Sequence, residues 1–169
     1  AISAAGNLAL VSQRNVPLAV DGQVTAIAVA VGDEVKAGDI LLQLDVTDPA
    51  SVEAAVVAVI AHAGGLHVLV NNAGGHFDEG TLPTQVSDDD LRDAFEINTI
   101  GPLRLVRAAL PHLLVAHSAR IVNVSSRSGT FSSTWANAPA YGVSKAALNM
   151  LTYQLAKELE GSGILVNAC

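Results

Sequence analysis

A chain of 169 residues, half of them apolar and 15% charged, can bury one sizeable core but is short for two full domains. Its formal net charge of −7, with Lys and Arg few and scattered, offers no phosphate-neutralising face, so nucleic acid is not an expected partner. The longest apolar run, Ala54 to Ile60, falls far below the roughly 20 residues needed to cross a bilayer, so no membrane partner is expected either.

The first residues, Ala1 to Gly6, contain neither a basic stretch nor a long apolar one, and do not read as a secretory signal. A lone Cys169 excludes an internal disulfide framework, which fits a cytoplasmic protein. Two strand-like runs follow, Gly22 to Val29 and Val31 to Leu44, joined by Gly-Asp turns and without helical periodicity. Residues 1–44 therefore read as a β-rich segment, distinct from residues 45–169.

From Asp45 onward the rhythm changes. Asp48-Pro49 has the form of a helix cap followed by proline in the first turn, and the apolar stretch after it is broken by Gly64-Gly65. His67 to Val70 is a short β-branched run suited to a buried strand. Ser87 can cap a second helix whose first turn holds Asp88, Asp89 and Asp90 at the positive end of the dipole. That helix continues through Phe95, Ile97, Leu103, Val106 and Leu110, with a bend expected at Gly101-Pro102. Arg120 to Val124 reads as the next strand. After a Ser/Gly/Thr-rich stretch a third helix starts near Pro139 and stops at Glu160-Gly161, and Ile164 to Val166 is the last strand. Helices alternating with continuously apolar strands predict an α/β fold, a parallel sheet covered on both faces.

Tyr141 and Lys145 stand four apart on the third helix and so share a face. A phenol with a reference pKa of about 10 exchanges protons poorly near neutrality, and an adjacent ammonium favours the phenolate. Ser125, Ser126 and Ser128 lie at the end of the preceding strand, the edge at which open α/β sheets bind ligands, and any of them can supply a hydroxyl. The pairs His62/His67 and His112/His117 are five apart, which turns their rings to diverging directions, so no metal site is expected. Phe131 and Trp135 precede Tyr141 and can equally line a pocket or pack internally. No Gly-x-Ser-x-Gly elbow is present, so a serine hydrolase is not indicated.

Asn71-Asn72-Ala73-Gly74 after a strand, Asn98 within Glu96-Ile97-Asn98-Thr99, Asn123-Val124-Ser125-Ser126 at a strand end, and Tyr141-Gly142-Val143-Ser144-Lys145 occur in one order. In that order they resemble the short-chain dehydrogenase/reductase family, over a stretch running from Asp45-Val46-Thr47-Asp48 to Gly163–Ala168. The resemblance implies a Rossmann-like sheet, here truncated, and a hydride moved between NAD or NADP and a carbonyl or alcohol carbon of a small molecule. It implies that Tyr141 is the acid/base, that Lys145 assists it and holds the nicotinamide ribose, that Ser126 polarises the substrate oxygen, and that Asn98 positions a relay water. It also implies that Asn72, Ala73 and Gly74 lie against the cofactor and that Asp45 and Val46 contact adenine.

That family's Thr-Gly-x-x-x-Gly-x-Gly turn, whose amides bind the pyrophosphate, is not found: Gly6 stands alone, and Gly161-Ser162-Gly163 leads into a strand. Two or three lost charge-assisted hydrogen bonds weaken binding by about three orders of magnitude, so cofactor affinity is expected to suffer. The Pro-Gly that follows the last strand in the family is also absent, as is the substrate loop. Residues 22–45, with Gly22-x-Val24-x-x-Ile27-x-Val29 and Gly32-Asp33-x-Val35-x-x-Gly38-Asp39, instead resemble half of a biotinyl/lipoyl-type sandwich, without its modifiable lysine. A chimera joined near residues 41–45 is the resulting expectation. The strand at Val68 to Val70 is then expected to expose an edge, covered by the N-terminal segment or by a second copy, so a homo-oligomer is expected. Two functions remain open: an NAD(P)-linked reductase, and a non-catalytic protein whose reductase segment only folds and associates.

Overall fold

Asp48 caps the first helix, α1 (Pro49–Ala63): its Oδ1 accepts from the Ala50 amide at 2.9 Å, and Pro49 sits in the first turn where no amide is needed. Gly64 ends the helix with φ of 73°, a left-handed value that a side chain would disfavour. These features belong to a computed structural model that describes residues 44–116, 118–132 and 137–169. The predicted β-rich segment up to residue 43, His117 and Trp135 lie outside the described residues.

Strand β1 (Val68–Asn71) leads, through a long loop, to α2 (Asp88–Phe95). Ser87 caps α2 as its position suggests, with Oγ accepting from the Asp90 amide at 3.0 Å. The expected bend is present but displaced. It is a π turn over Glu96–Ile100, one residue wider than α-helical geometry, after which α3 (Gly101–Leu114) begins with Pro102 in its first turn. Arg104, on α3, pairs with Glu96 across the π turn at 2.5 Å. Strand β2 (Ala119–Asn123), a 3-10 turn (Arg127–Gly129), α4 (Pro139–Glu158) and β3 (Ile164–Ala168) complete the order.

The three strands are parallel, in the order β1-β2-β3, with Leu69, Ile121 and Val166 in register across the sheet. One core joins Val106, Ala109 and Leu113 of α3 to Ile121 and Val166 of the sheet and to Leu155 of α4. Leu113 and Ile121 are wholly buried, each contributing about 1.5–3 kcal/mol. A second core sets Leu44 and Val46 against Val52, Ala55 and Val56 of α1 and Leu105 of α3, with Leu69 packed on both. The α/β parallel architecture is as expected. Among the described residues, α1, α3 and α4 all pack on the Leu69 side, while Val68, Val70 and Leu165 on the opposite face are exposed.

Across the strand ends runs a directional polar chain. Asn71 Nδ2 donates to Asn123 Oδ1 at 2.7 Å, Asn123 Nδ2 to Thr152 Oγ1 at 2.8 Å, and Thr152 Oγ1 to the Leu148 carbonyl at 2.7 Å. Both asparagines are buried. We expect Asn123→Ala, which strands the Asn71 amide and removes the donor to Thr152, to cost about 2–3 kcal/mol in chemical denaturation. A change below about 0.5 kcal/mol would show that the chain contributes nothing to stability.

Candidate active site

The carboxyl ends of β1 and β2 and the first turns of α4 converge on Tyr141. Lys145, one turn along, is 3% exposed; its Nζ donates to the Val124 carbonyl at 2.8 Å and lies 5.7 Å from the Tyr141 ring centroid. Burial removes water from the ammonium and lowers its pKa below 10.5. The helical spacing and the strand-end carbonyl thus hold a cation beside a phenol.

Two glycines let the β2 end press on this helix. A Cβ at Gly129 would stand 2.6 Å from the Lys145 carbonyl carbon, and one at Gly142 would stand 3.1 Å from the Ser128 carbonyl oxygen. Ser126 heads the 3-10 turn that ends at Gly129, its Oγ accepting from the Ser128 amide at 3.1 Å, which leaves its hydroxyl hydrogen to donate. Ser125 turns toward α4, its Oγ reaching the Lys145 carbonyl at 3.4 Å. The Ser126 hydroxyl hydrogen is thus open to a further acceptor, whereas the Ser125 hydroxyl faces the Lys145 carbonyl.

Asn98 is wholly buried in the π turn. Its Oδ1 accepts from the Gly75 amide and its Nδ2 donates to the Gly75 carbonyl, both at 2.9 Å, while the second Nδ2 hydrogen goes to Ser144 Oγ at 3.0 Å. Ser144 in turn donates to the Tyr141 carbonyl at 2.8 Å. Both amide hydrogens are therefore committed to protein groups.

Asn72 and Gly74 are exposed, and Ala73 is half-buried, packed against the second core. A Cβ at Gly74 would stand 3.1 Å from Asn98 Oδ1 and 3.3 Å from Lys145 Nζ, so a bare backbone is what leaves the ammonium approachable there. Asp45 is engaged locally, its Oδ1 accepting from the Thr47 amide at 2.8 Å and the Thr47 hydroxyl at 2.6 Å. The Val46 side chain is core: its Cγ2 would lie 2.8 Å from a Cβ at Gly101, and its carbonyl accepts from Arg104 at 3.3 Å. The carboxylate of Asp45 and the main chain of Val46 are what this corner can offer a ligand.

A residue that sequence reasoning missed is Asp78. Its side chain is fully buried, with Oδ2 accepting from the Ala140 amide at 2.6 Å and Oδ1 from the Tyr141 amide at 3.3 Å. Ala138, at the cap position of α4, makes no side-chain cap hydrogen bond, so Asp78 caps the helix from 62 residues away. Such a cap contributes about 0.5–2 kcal/mol. His76 completes the group, its ring 4.6 Å from that of Tyr141 and its Nε2 4.0 Å from Asp78 Oδ1. Capping rules look only to adjacent residues; no local signal marks Asp78.

A parallel sheet thus brings a phenol, an ammonium and a strand-end hydroxyl to its carboxyl edge, where open α/β sheets bind ligands. The chain belongs to the short chain dehydrogenase family, whose model matches residues 9–169. It is 39% identical over 128 residues to Oxidoreductase UcpA of Escherichia coli K12, covering 73% of this chain and 46% of that one. It is 34% identical over 126 residues to the 3-oxoacyl-[acyl-carrier-protein] reductase FabG of Salmonella typhimurium, covering 75% and 50%. Among solved structures, the NADPH-bound carbonyl reductase from chicken fatty liver superposes with a TM-score of 0.69 at 36% identity, covering 75% of this chain and 54% of that one. The chain spans about half the length of the curated relatives it matches. The family match, from residue 9 onward, takes in the whole segment likened to a biotinyl/lipoyl sandwich, and nothing in these matches supports that likeness.

Lys145 yields a pH test. Its folded pKa lies below the 10.5 of the unfolded chain, so between those values the unfolded state binds more protons and stability rises with pH. Below the folded value the full cost of burying the charge is present. Relative to Lys145→Met, the parent chain should therefore gain denaturation midpoint as pH climbs through that window, and a flat difference would mean that burial leaves the ammonium unperturbed.

Proposed function

We propose that this protein is an NAD(P)-dependent oxidoreductase acting on a small carbonyl or alcohol, with Tyr141 as its general acid/base. The observation that carries this reading is the buried Lys145 ammonium, held by the Val124 carbonyl beside the Tyr141 ring. When bound, a nicotinamide supplies or accepts the hydride. Tyr141 delivers the proton to the carbonyl oxygen in reduction and takes it back in oxidation. Ser126 donates to that same oxygen, and Lys145 stabilises the phenolate left behind.

The residues present fit the nicotinamide end of such a cofactor. Lys145 has three ammonium hydrogens and spends one on Val124, which leaves donors for ribose hydroxyls; Asn72 to Gly74 supply exposed strand-end backbone beside it. Asp45 and the main chain of Val46 form the adenine-side contact. With the Asn98 amide engaged, a relay water takes its position from the main chain of the π turn, where the α-helical ladder is interrupted. Two similar structures, the NADPH-bound carbonyl reductase and ElxO with NADP bound, support a nicotinamide dinucleotide as the cofactor.

The alternative reading is a protein that folds and self-associates without turnover. Under either reading the exposed apolar sheet face promotes homo-oligomer formation, and cytoplasmic residence suits a chain in which no described helix is long and apolar enough to cross a membrane.

Titration with reduced nicotinamides, followed by fluorescence, and assay of carbonyl-dependent oxidation separate the two functions. We expect Tyr141→Phe to lower turnover by about 10²–10⁴-fold while cofactor binding persists. Turnover that survives this change would remove Tyr141 from the mechanism, and a lack of binding at millimolar cofactor, with a cooperative melt, would establish the non-catalytic reading.

A further inference from the structure

We propose that the loop from Gly75 to Gly80 is a strap that positions the acid/base, with Asp78 as its positioning residue. The inference rests on the reading of Tyr141 as that acid/base.

The first amides of a helix have no acceptor within it. In α4 the amides of Ala140 and Tyr141 both meet the Asp78 carboxylate, which is buried and set against the positive end of the helix dipole. The Gly142 amide, next along, already reaches the Ala138 carbonyl at 2.9 Å. Asp78 thus serves just the two amides that the helix cannot satisfy, one of them belonging to Tyr141 itself.

The strap is anchored at both ends. Gly75 is gripped by the two hydrogen bonds from Asn98, and the Gly80 amide donates to the Asn137 carbonyl at 2.7 Å, immediately before α4. Between the anchors, His76 lays its ring on that of Tyr141. Lys145 is held separately, by Val124 at the end of β2. The phenol and the ammonium are therefore fixed by different loops, and loosening the strap displaces Tyr141 while leaving Lys145 in place.

Three variants of the full chain test this: Asp78→Ala, Asp78→Asn, which keeps one acceptor oxygen, and Ser87→Ala, which removes an ordinary cap on α2. In Asp78→Ala, amide exchange at Ala140 and Tyr141, read by nuclear magnetic resonance, should quicken about tenfold or more while Gly142 keeps its protection. With a reduced nicotinamide and a carbonyl substrate, kcat should fall roughly ten- to hundredfold with KM nearly unchanged. Asp78→Asn should restore most of both effects, and Ser87→Ala should lower the melting temperature alone. Unchanged exchange at Ala140 and Tyr141, or an unchanged kcat in Asp78→Ala, overturns the proposal. A kcat loss that Asp78→Asn does not relieve, or that Ser87→Ala reproduces, overturns it too. If the unsubstituted chain shows no turnover while the two amides lose protection in Asp78→Ala, the proposed function fails and the strap stands.

Discussion

The buried amide of Asn98 is the constraint on which the site depends. Through both of its polar atoms it binds one residue of the loop after β1, Gly75, and through its remaining hydrogen it binds Ser144 on the helix that bears Tyr141 and Lys145. A wholly buried amide is stable only when its donors and acceptor are met, and here they are met by two different parts of the site. The π turn is what makes this possible, because widening the helix by one residue re-aims a side chain from a continuous helix toward the sheet edge. Asn98 is in this sense a bracket between loop and helix.

Features set by neighbouring residues were legible in the sequence. Asp48-Pro49 and Ser87 mark helix starts because a cap acts within three residues, and Tyr141 with Lys145 shares a face because helical spacing demands it. What the sequence hid depends on contacts between distant segments. Gly101-Pro102 announces a bend, yet the distortion lies before it, at Glu96–Ile100, where Asn98 and the pairing of Arg104 with Glu96 draw the turn inward. Asp78 looks like one more loop carboxylate until the fold brings α4 to it. Valine-rich strands suggest burial on both faces, whereas the helices among the described residues pack on one.

Division of labour at the site follows from the same geometry. The end of β2 controls the ammonium and the hydroxyl, through Val124, Ser126 and the close approach of Gly129 to α4. The loop after β1 controls the phenol and presents bare backbone at Gly74 beside the ammonium.

The chain of asparagines beneath the site decides how the strands align. Because Val68, Leu69 and Val70 make β1 apolar on both faces, sliding it by a single residue would still present valine to the helices, and hydrophobicity alone discriminates poorly between alignments of β1. Asn71, Asn123 and Thr152 remove that ambiguity, since only one alignment lets each amide meet its neighbour inside the core. A shifted β1 would leave Asn71 Nδ2 and Asn123 Oδ1 unpaired as well, in addition to Asn71 Oδ1, which is buried without a partner. Alignment is thereby enforced by a penalty on every wrong pairing, and the carboxyl ends of β1 and β2, with all the chemistry they carry, come level with one another as a result.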